Sequence, residues 1–549
     1  VQAHGAAVED QHRIVHAGDV RFPGAAAKAY GSGKFKEDGM RRIDAPTLHG
    51  WITDGGELAL LDAREEGEFG ASHLFWAVPC PFSKRELRAP GLLPRRGTRV
   101  VVCDDGRGVA EKLAEYLESI GCGDVSVLDG GTGAWAAAGY VLFSGVNVPS
   151  KAFGEWVEHH FGTESVDAPE LNAWLNDGRD MVVLDSRTVE EFRRMSIPKG
   201  RSMPGGELAY RIADLVPDPA TLIVVNCAGR TRSILGAESL RQAGVPNRVV
   251  ALRNGTMGWE LAGLVPDRGQ AAEFSPGVPR TAGLAMQRAA GFADRSGVRV
   301  IDAAGLAALE ADGSRTLYVL DVRDPVEFRA GSRAGAISAP GGQLVQATDS
   351  WVGVRGARIA LIDDDGVRAR MSASWLRQMG HGEVFVAEGA LGDVVPAAAA
   401  APAGVGAEAV EGATVVDLAR SIDFREGHIP GAIWGVRGRL DGLAARLAGA
   451  ARVVVTSPDG VLAALAVDEL RGLTAAPVSV LAGGTEAWRA AGRPMARDRT
   501  VPADGDCIDF YLRPYDRNSG VEDAMQAYLS WEIDLVHEIA RDGTVRFGV

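Results

Sequence analysis

Between residues 38 and 496, short apolar runs alternate with stretches whose apolar side chains return every three to four residues. This rhythm is written four times. The runs R-V-V-V-C at 99–103, L-I-V-V-N-C at 222–227, I-A-L-I-D at 359–363 and R-V-V-V-T-S at 452–457 are rich in β-branched residues. Such runs predict buried parallel strands, and a helical stretch follows each. An earlier run in each unit leads into L-L-D-A-R-E-E-G-E-F (60–69), V-L-D-S-R-T-V-E-E-F (183–192), V-L-D-V-R-D-P-V-E-F (319–328) or V-V-D-L-A-R-S-I-D-F (415–424). In all four the Phe stands seven residues after the Asp: Asp62/Phe69, Asp185/Phe192, Asp321/Phe328 and Asp417/Phe424.

Other landmarks keep step. I-D-A-P-T-L (43–48), V-D-A-P-E-L (166–171) and I-D-A-A-G-L (301–306) read as helix starts with Asp as N-cap. Each unit closes on V-L-D-G-G-T-G-A-W (127–135), A-L-R-N-G-T-M-G-W (251–259), a decayed V-A-E-G-A-L-G (386–392) or V-L-A-G-G-T-E-A-W (480–488). The expected architecture is α/β, with four tandem domains, each a mainly parallel sheet flanked by helices. Their expected bounds are 38–142, 163–268, 298–398 and 406–496. An N-terminal extension fills 1–37, residues 269–297 read as a Gly/Ala-rich connection, and A-A-A-A-A-P-A-G-V-G (397–406) as a linker. A tail spans 497–549. In it Met525, Leu529, Ile533, Val536 and Ile539 approach helical spacing, so a tail helix should dock on a domain or on a second subunit of a homo-oligomer.

The chain has 549 residues, and its charge sum of 58 − 72 = −14 argues against a nucleic-acid or membrane-surface partner. No apolar stretch is long enough for a transmembrane helix, and the first residues lack the pattern of a secretory signal. The five cysteines, Cys80, Cys103, Cys122, Cys227 and Cys507, are odd in number and lack C-x-x-C spacing. Neither a disulfide framework nor a metal site is expected, and reduced thiols in a cytoplasm are the simplest reading.

Taken in order, the D-x-R…E-F segment, G-H-I-P-G-A at 427–432, the Cys loop after a later strand and the closing L-x-G-G-x-x-x-W resemble the rhodanese superfamily of sulfurtransferases. The resemblance implies a reactive loop between a strand end and the next helix. It also implies a persulfide carried on the loop cysteine, with no metal or organic cofactor. Donors would be thiosulfate or a similar sulfane-sulfur compound. Acceptors would be cyanide, a thiol or an acceptor protein.

Loop two, Cys227-Ala228-Gly229-Arg230-Thr231-Arg232-Ser233, carries the chemistry best. Loop amides, the start of the next helix and two guanidinium groups should favour thiolate over thiol, and the thiolate is the nucleophile. In the resemblance Cys227 is the sulfur carrier and Arg232, five residues on, the loop arginine. Phosphatase relatives place Arg six positions after Cys; here that position is Ser233, which disfavours phosphoryl chemistry. Loop one, C-D-D-G-R-G-V from Cys103, is a second-site candidate with Arg107, weakened by Asp104 and Asp105. Units three and four begin their loops with Asp363 and Ser457, which carry no sulfur. The recurring Asp-x-Arg pairs, His428 and the Trp of each closing segment read as structural. A non-catalytic scaffold or a sulfur relay is the competing reading.

Overall fold

The computed structural model describes residues 39–272, 274, 277–395 and 402–548. The N-terminal extension and residues 396–401 of the linker lie outside the described residues. Four parallel sheets follow one another along the chain. The first has strands in the order Arg42–Ile43, Asp124–Leu128, Arg99–Cys103, Ala59–Asp62, Val78–Pro79. The second repeats that order with Ser165–Val166, Val249–Leu252, Leu222–Asn226, Met181–Asp185, Arg201–Ser202. The third does so with Arg299–Asp302, Glu383–Glu388, Arg358–Ile362, Leu317–Asp321, Ile337–Ser338. The fourth has four strands, Ile433–Trp434, Thr414–Asp417, Val453–Thr456 and Val478–Val480. A single parallel bridge, Val405 to Leu481, stands where the other sheets have their first strand.

The central strands are mostly apolar because both of their faces are buried. Val100 and Val102 enter one core while Val101 and Cys103 enter the other, as strand alternation requires. The predicted N-caps form: Asp44, Asp167 and Asp302 accept from the backbone N–H of Thr47, Glu170 and Gly305 at 2.8–2.9 Å. Phe69, Phe192, Phe328 and Phe424 are all buried. The Asp before them is held by its own arginine in three units, at 2.5 Å for Asp62–Arg64 and 2.7 Å for both Asp185–Arg187 and Asp321–Arg323. These buried pairs brace the turn after the strand. In unit four Ala419 replaces the arginine, and burial pushes the Asp417 carboxyl up to about 7.

The connections are more structured than the sequence suggested. A helix, Val148–Phe161, joins the first two sheets, and another, Ala282–Arg295, occupies the stretch expected to be a Gly/Ala-rich connection. Ala285, Ala289, Phe292 and Ala293 line its buried side. Phe153 and Phe292 both meet Trp375 edge-on, with ring centres 5.9 and 5.0 Å apart. One apolar core therefore runs through three units. Ion pairs with buried arginines also tie the units together, among them Arg437–Glu86 (2.7 Å) and Arg368–Glu207 (2.9 Å).

The tail helix, Val521–Asp542, buries Met525, Leu529, Glu532, Leu535 and Ile539. The expected face included Ile533, which is 46% exposed. The helix is rotated so that a carboxylate faces inward.

Candidate active site

Cys227 follows the last residue of the strand Leu222–Asn226, and the next helix starts at Thr231. The side chain is 2% exposed. Its Sγ lies 3.5 Å from Ser233 Oγ, which donates to the Arg230 carbonyl at 2.8 Å. The closing segment clamps the loop from behind. Thr256 and Met257 donate their N–H groups to the carbonyls of Cys227 and Ala228 at 2.9 and 3.0 Å. A Cβ on Gly255, at φ +54°, would sit 2.3 Å from the Cys227 carbonyl oxygen, so only glycine allows this approach.

Arg232 reaches over the loop and donates to both oxygens of Glu191 at 2.7 and 2.8 Å. Glu191 is fixed in turn by a capping box with Thr188. Arg230 was expected to add charge beside the sulfur. Instead it is buried against the helix Val148–Phe161, bonding both oxygens of Glu155 at 2.8 Å and also Glu158, which fastens the loop to that helix.

The expected low thiol pKa is not found in this arrangement. Burial pushes the Cys227 thiol up; Arg232 and the Ser233 hydrogen bonds pull it down, and nearby Glu532 pushes it up again. The net direction is upward.

Strand register corrects the reading of unit one. Asp62 pairs with Cys103, whereas Asp185 pairs with Asn226 and Asp321 with Ile362. Cys103 is thus equivalent to Asn226, inside the strand, and Asp104 is equivalent to Cys227. The closing segment agrees, since Thr132 donates to the Asp104 carbonyl as Thr256 does to that of Cys227. Cys103 is fully buried, 3.8 Å from Asp62 Oδ2, and burial with Asp62 and Asp104 raises its pKa well above the usual thiol value. Arg107 does not compensate: it is bound to Asp105 and Glu68 at the surface.

The same register puts Asp363 and Ser457 in the seat that Cys227 holds. Each uses the seat as a helix cap. Asp104 accepts from Gly106, Val109 and Ala110 (2.7–3.2 Å), Asp363 from Gly366 and Ala369 (2.7 and 3.0 Å), and Ser457 from Ala463 (3.2 Å). In all three the amide six positions on is a donor. Ser233 holds that position after Cys227.

The rhodanese-like domain model matches residues 44–138, 167–262 and 302–394, more than half of the chain. The chain belongs to the rhodanese-like domain family. The rhodanese-like fold extends to the fourth unit, whose parallel sheet follows the same plan. The protein is similar to the thiosulfate sulfurtransferase of Pseudomonas aeruginosa, whose crystal structure superposes with a TM-score of 0.85. Identity is 44%, over 93% of this chain and 100% of that one. It is also 29% identical to a sulfurtransferase of Allochromatium vinosum, over 18% of this chain and 90% of that protein.

Within this rhodanese-like frame, the remaining candidates are structural. His428 stacks on Phe424 with ring centres 3.8 Å apart, and its Nδ1 lies 2.7 Å from the Phe424 carbonyl oxygen. Trp135, Trp259 and Trp488 are core residues. Cys80, Cys122 and Cys507 are buried and free of disulfides. Glu155, Glu191, Tyr528 and Glu532 surround loop two, and sequence reasoning named none of them. Only Glu191 carried a signal, through its place in T-V-E-E after the D-x-R turn. Among the described residues no helix is long and apolar enough to cross a membrane.

Proposed function

We propose that this rhodanese-family protein moves sulfane sulfur from thiosulfate, or a donor of that class, through a persulfide on Cys227. The Cys227 thiolate attacks the outer sulfur of the donor. The donor S–S bond breaks, sulfite leaves with the bonding pair, and a new S–S bond forms on Cys227. A nucleophilic acceptor, such as cyanide, a thiol or a partner protein's cysteine, then attacks the outer sulfur and restores the thiolate. Sulfur enters and leaves without net oxidation or reduction of the protein.

One observation carries this reading. Of the four strand-end seats, unit two alone holds a thiol, with a hydroxyl, a helix start and a paired arginine around it. The other three hold Asp104, Asp363 and Ser457 as helix caps, which suits them to packing or partner surfaces. Ala228, Gly229 and Thr231 shape the loop around the outer sulfur in this scheme. The five free cysteines suit a reducing cytoplasm.

Sulfite release from thiosulfate with cyanide as acceptor tests the proposal. The parent should turn over, and Cys227→Ser should not. Turnover by Cys227→Ser at the parent rate would overturn it.

A further inference from the structure

The tail helix covers the loop that carries Cys227. Met525 and Leu529 pack against Met257 and Ala228, directly over the loop. Tyr528 and Glu532 lie over Gly229: a Cβ there would be 2.9 Å from Glu532 Oε2 and 3.3 Å from Tyr528 Cε1. Glu532 Oε1 accepts from Thr231 Oγ1 at 3.3 Å and from Tyr528 OH at 3.1 Å. Lys151, from the helix between the first two units, donates to Tyr528 OH and lies 3.9 Å from Glu532. Glu532 is buried, and its Oε2 has no hydrogen-bond partner.

Two features make this cover unlike a permanent wall. Its seat is half apolar and half a buried Lys–Tyr–Glu cluster, and desolvated charge of that kind offers little net stabilisation compared with apolar packing. Its anchoring is also uneven. The C-terminal half sets Leu535 and Ile539 into an apolar cluster with Phe75, Phe143 and Val148, and Trp76 donates to Thr544 at 2.9 Å. The N-terminal half enters from an exposed segment, residues 517–520, ending in Gly520 at φ +64°. The charges point the same way. Arg230 and Arg232, the two guanidinium groups of the loop itself, are both engaged with carboxylates, and Glu532 adds another carboxylate over the loop.

We propose that the helix Val521–Asp542 is a lid on Cys227 that lifts from its N-terminal end, and that Glu532 is the charge an anionic sulfur donor displaces when it enters. The proposal rests on Cys227 as sulfur carrier and adds how the site is opened. Lifting the lid removes both the burial and the Glu532 charge that raise the thiol pKa. The nucleophile is thus released only as the donor arrives.

Alkylation of the full chain, mapped by peptide mass, tests the lid without requiring sulfur transfer. With iodoacetamide, Cys227 of the parent should react at least about tenfold more slowly than in the denatured chain. Met525→Ala with Leu529→Ala should raise that rate by about tenfold or more, with Cys80 and Cys103 still unreactive. Glu532→Gln should raise the ratio of iodoacetate to iodoacetamide labelling severalfold, because it removes a negative charge from the entrance. A parent rate equal to that of the denatured chain, or unchanged rates in both variants, would overturn the lid. If Cys80 and Cys103 label too, the variant has unfolded and hydrogen exchange on the parent decides. Thiosulfate should then deprotect the amides of 521–532; unchanged protection would overturn the proposal. A protein that never takes up sulfur yet shows these rates would refute the carrier and leave the lid standing.

Discussion

Arg232 and Glu191 form a two-pronged ion pair, with N–O distances of 2.7 and 2.8 Å, that holds a guanidinium over the loop of Cys227. Unit three keeps a copy, since Arg368 donates to Glu327 at 2.6 Å, but its seat holds Asp363 and its arginine is shared with Glu207 and Asp364. The pair is thus part of the repeat's frame, and in unit two it faces a thiol. Arg232→Ala should lower kcat/KM for thiosulfate. Losing a charge-assisted contact costs on the order of 1.5–3 kcal/mol, roughly ten- to over a hundredfold. Arg232→Lys should recover only part, because an ammonium lacks the planar fork. Steady-state kinetics on the three proteins checks this.

The same pair gives a pH signature. Burial pushes the Glu191 carboxyl up, but Arg232 and Arg187 more than reverse this and hold it far below the usual carboxylate range. A depressed folded pKa adds stability above the unfolded value of about 4.3, and that stability is lost as pH falls through the folded value. The stability gap between the parent and Arg232→Ala should therefore be widest near neutral pH and begin to narrow as pH falls below about 4.3. Denaturant unfolding from pH 3 to 7 measures it. A gap that widens in acid would contradict the assignment.

Asp104 sits in the carrier's seat as a helix cap. Asp104→Ala should destabilise the protein by about 1 kcal/mol, within the roughly 0.5–2 kcal/mol range of lost caps, and leave sulfur transfer unchanged. Thermal unfolding and a turnover assay on one preparation check both halves.

Asp363→Cys should not create a second carrier. Asp364 and Asp365 flank the loop, and Arg368 is held by three carboxylates. Measured with Cys227→Ser in the same chain, this variant should release no sulfite above background. Substantial release would show that the seat alone suffices.

The repeats were legible because the Asp and the Phe seven residues on are written in all four units, with the bracing arginine in three, and these are local devices, a turn brace and a buried anchor. The register of unit one was less so. Cys103 and Cys227 look alike at strand ends, but Asp62 and Cys103 are 41 residues apart, the same span as Asp185 and Asn226. Counting from the aspartate places Cys103 inside the strand. The helix Ala282–Arg295 was hidden because its buried face is mostly alanine, which reads as linker composition. The tail helix was expected, but Glu532 was not. A buried carboxylate breaks the apolar stripe from which a helix face is read, and its reason for being there lies in another unit.

The most direct measurement is the mass of the protein after thiosulfate treatment, followed by peptide mapping. The account predicts a gain of one sulfur atom on the Cys227 peptide of the parent and of Cys103→Ser, and no gain in Cys227→Ser. A sulfur adduct on the Cys103 peptide, with the Cys227 peptide unmodified, would contradict it.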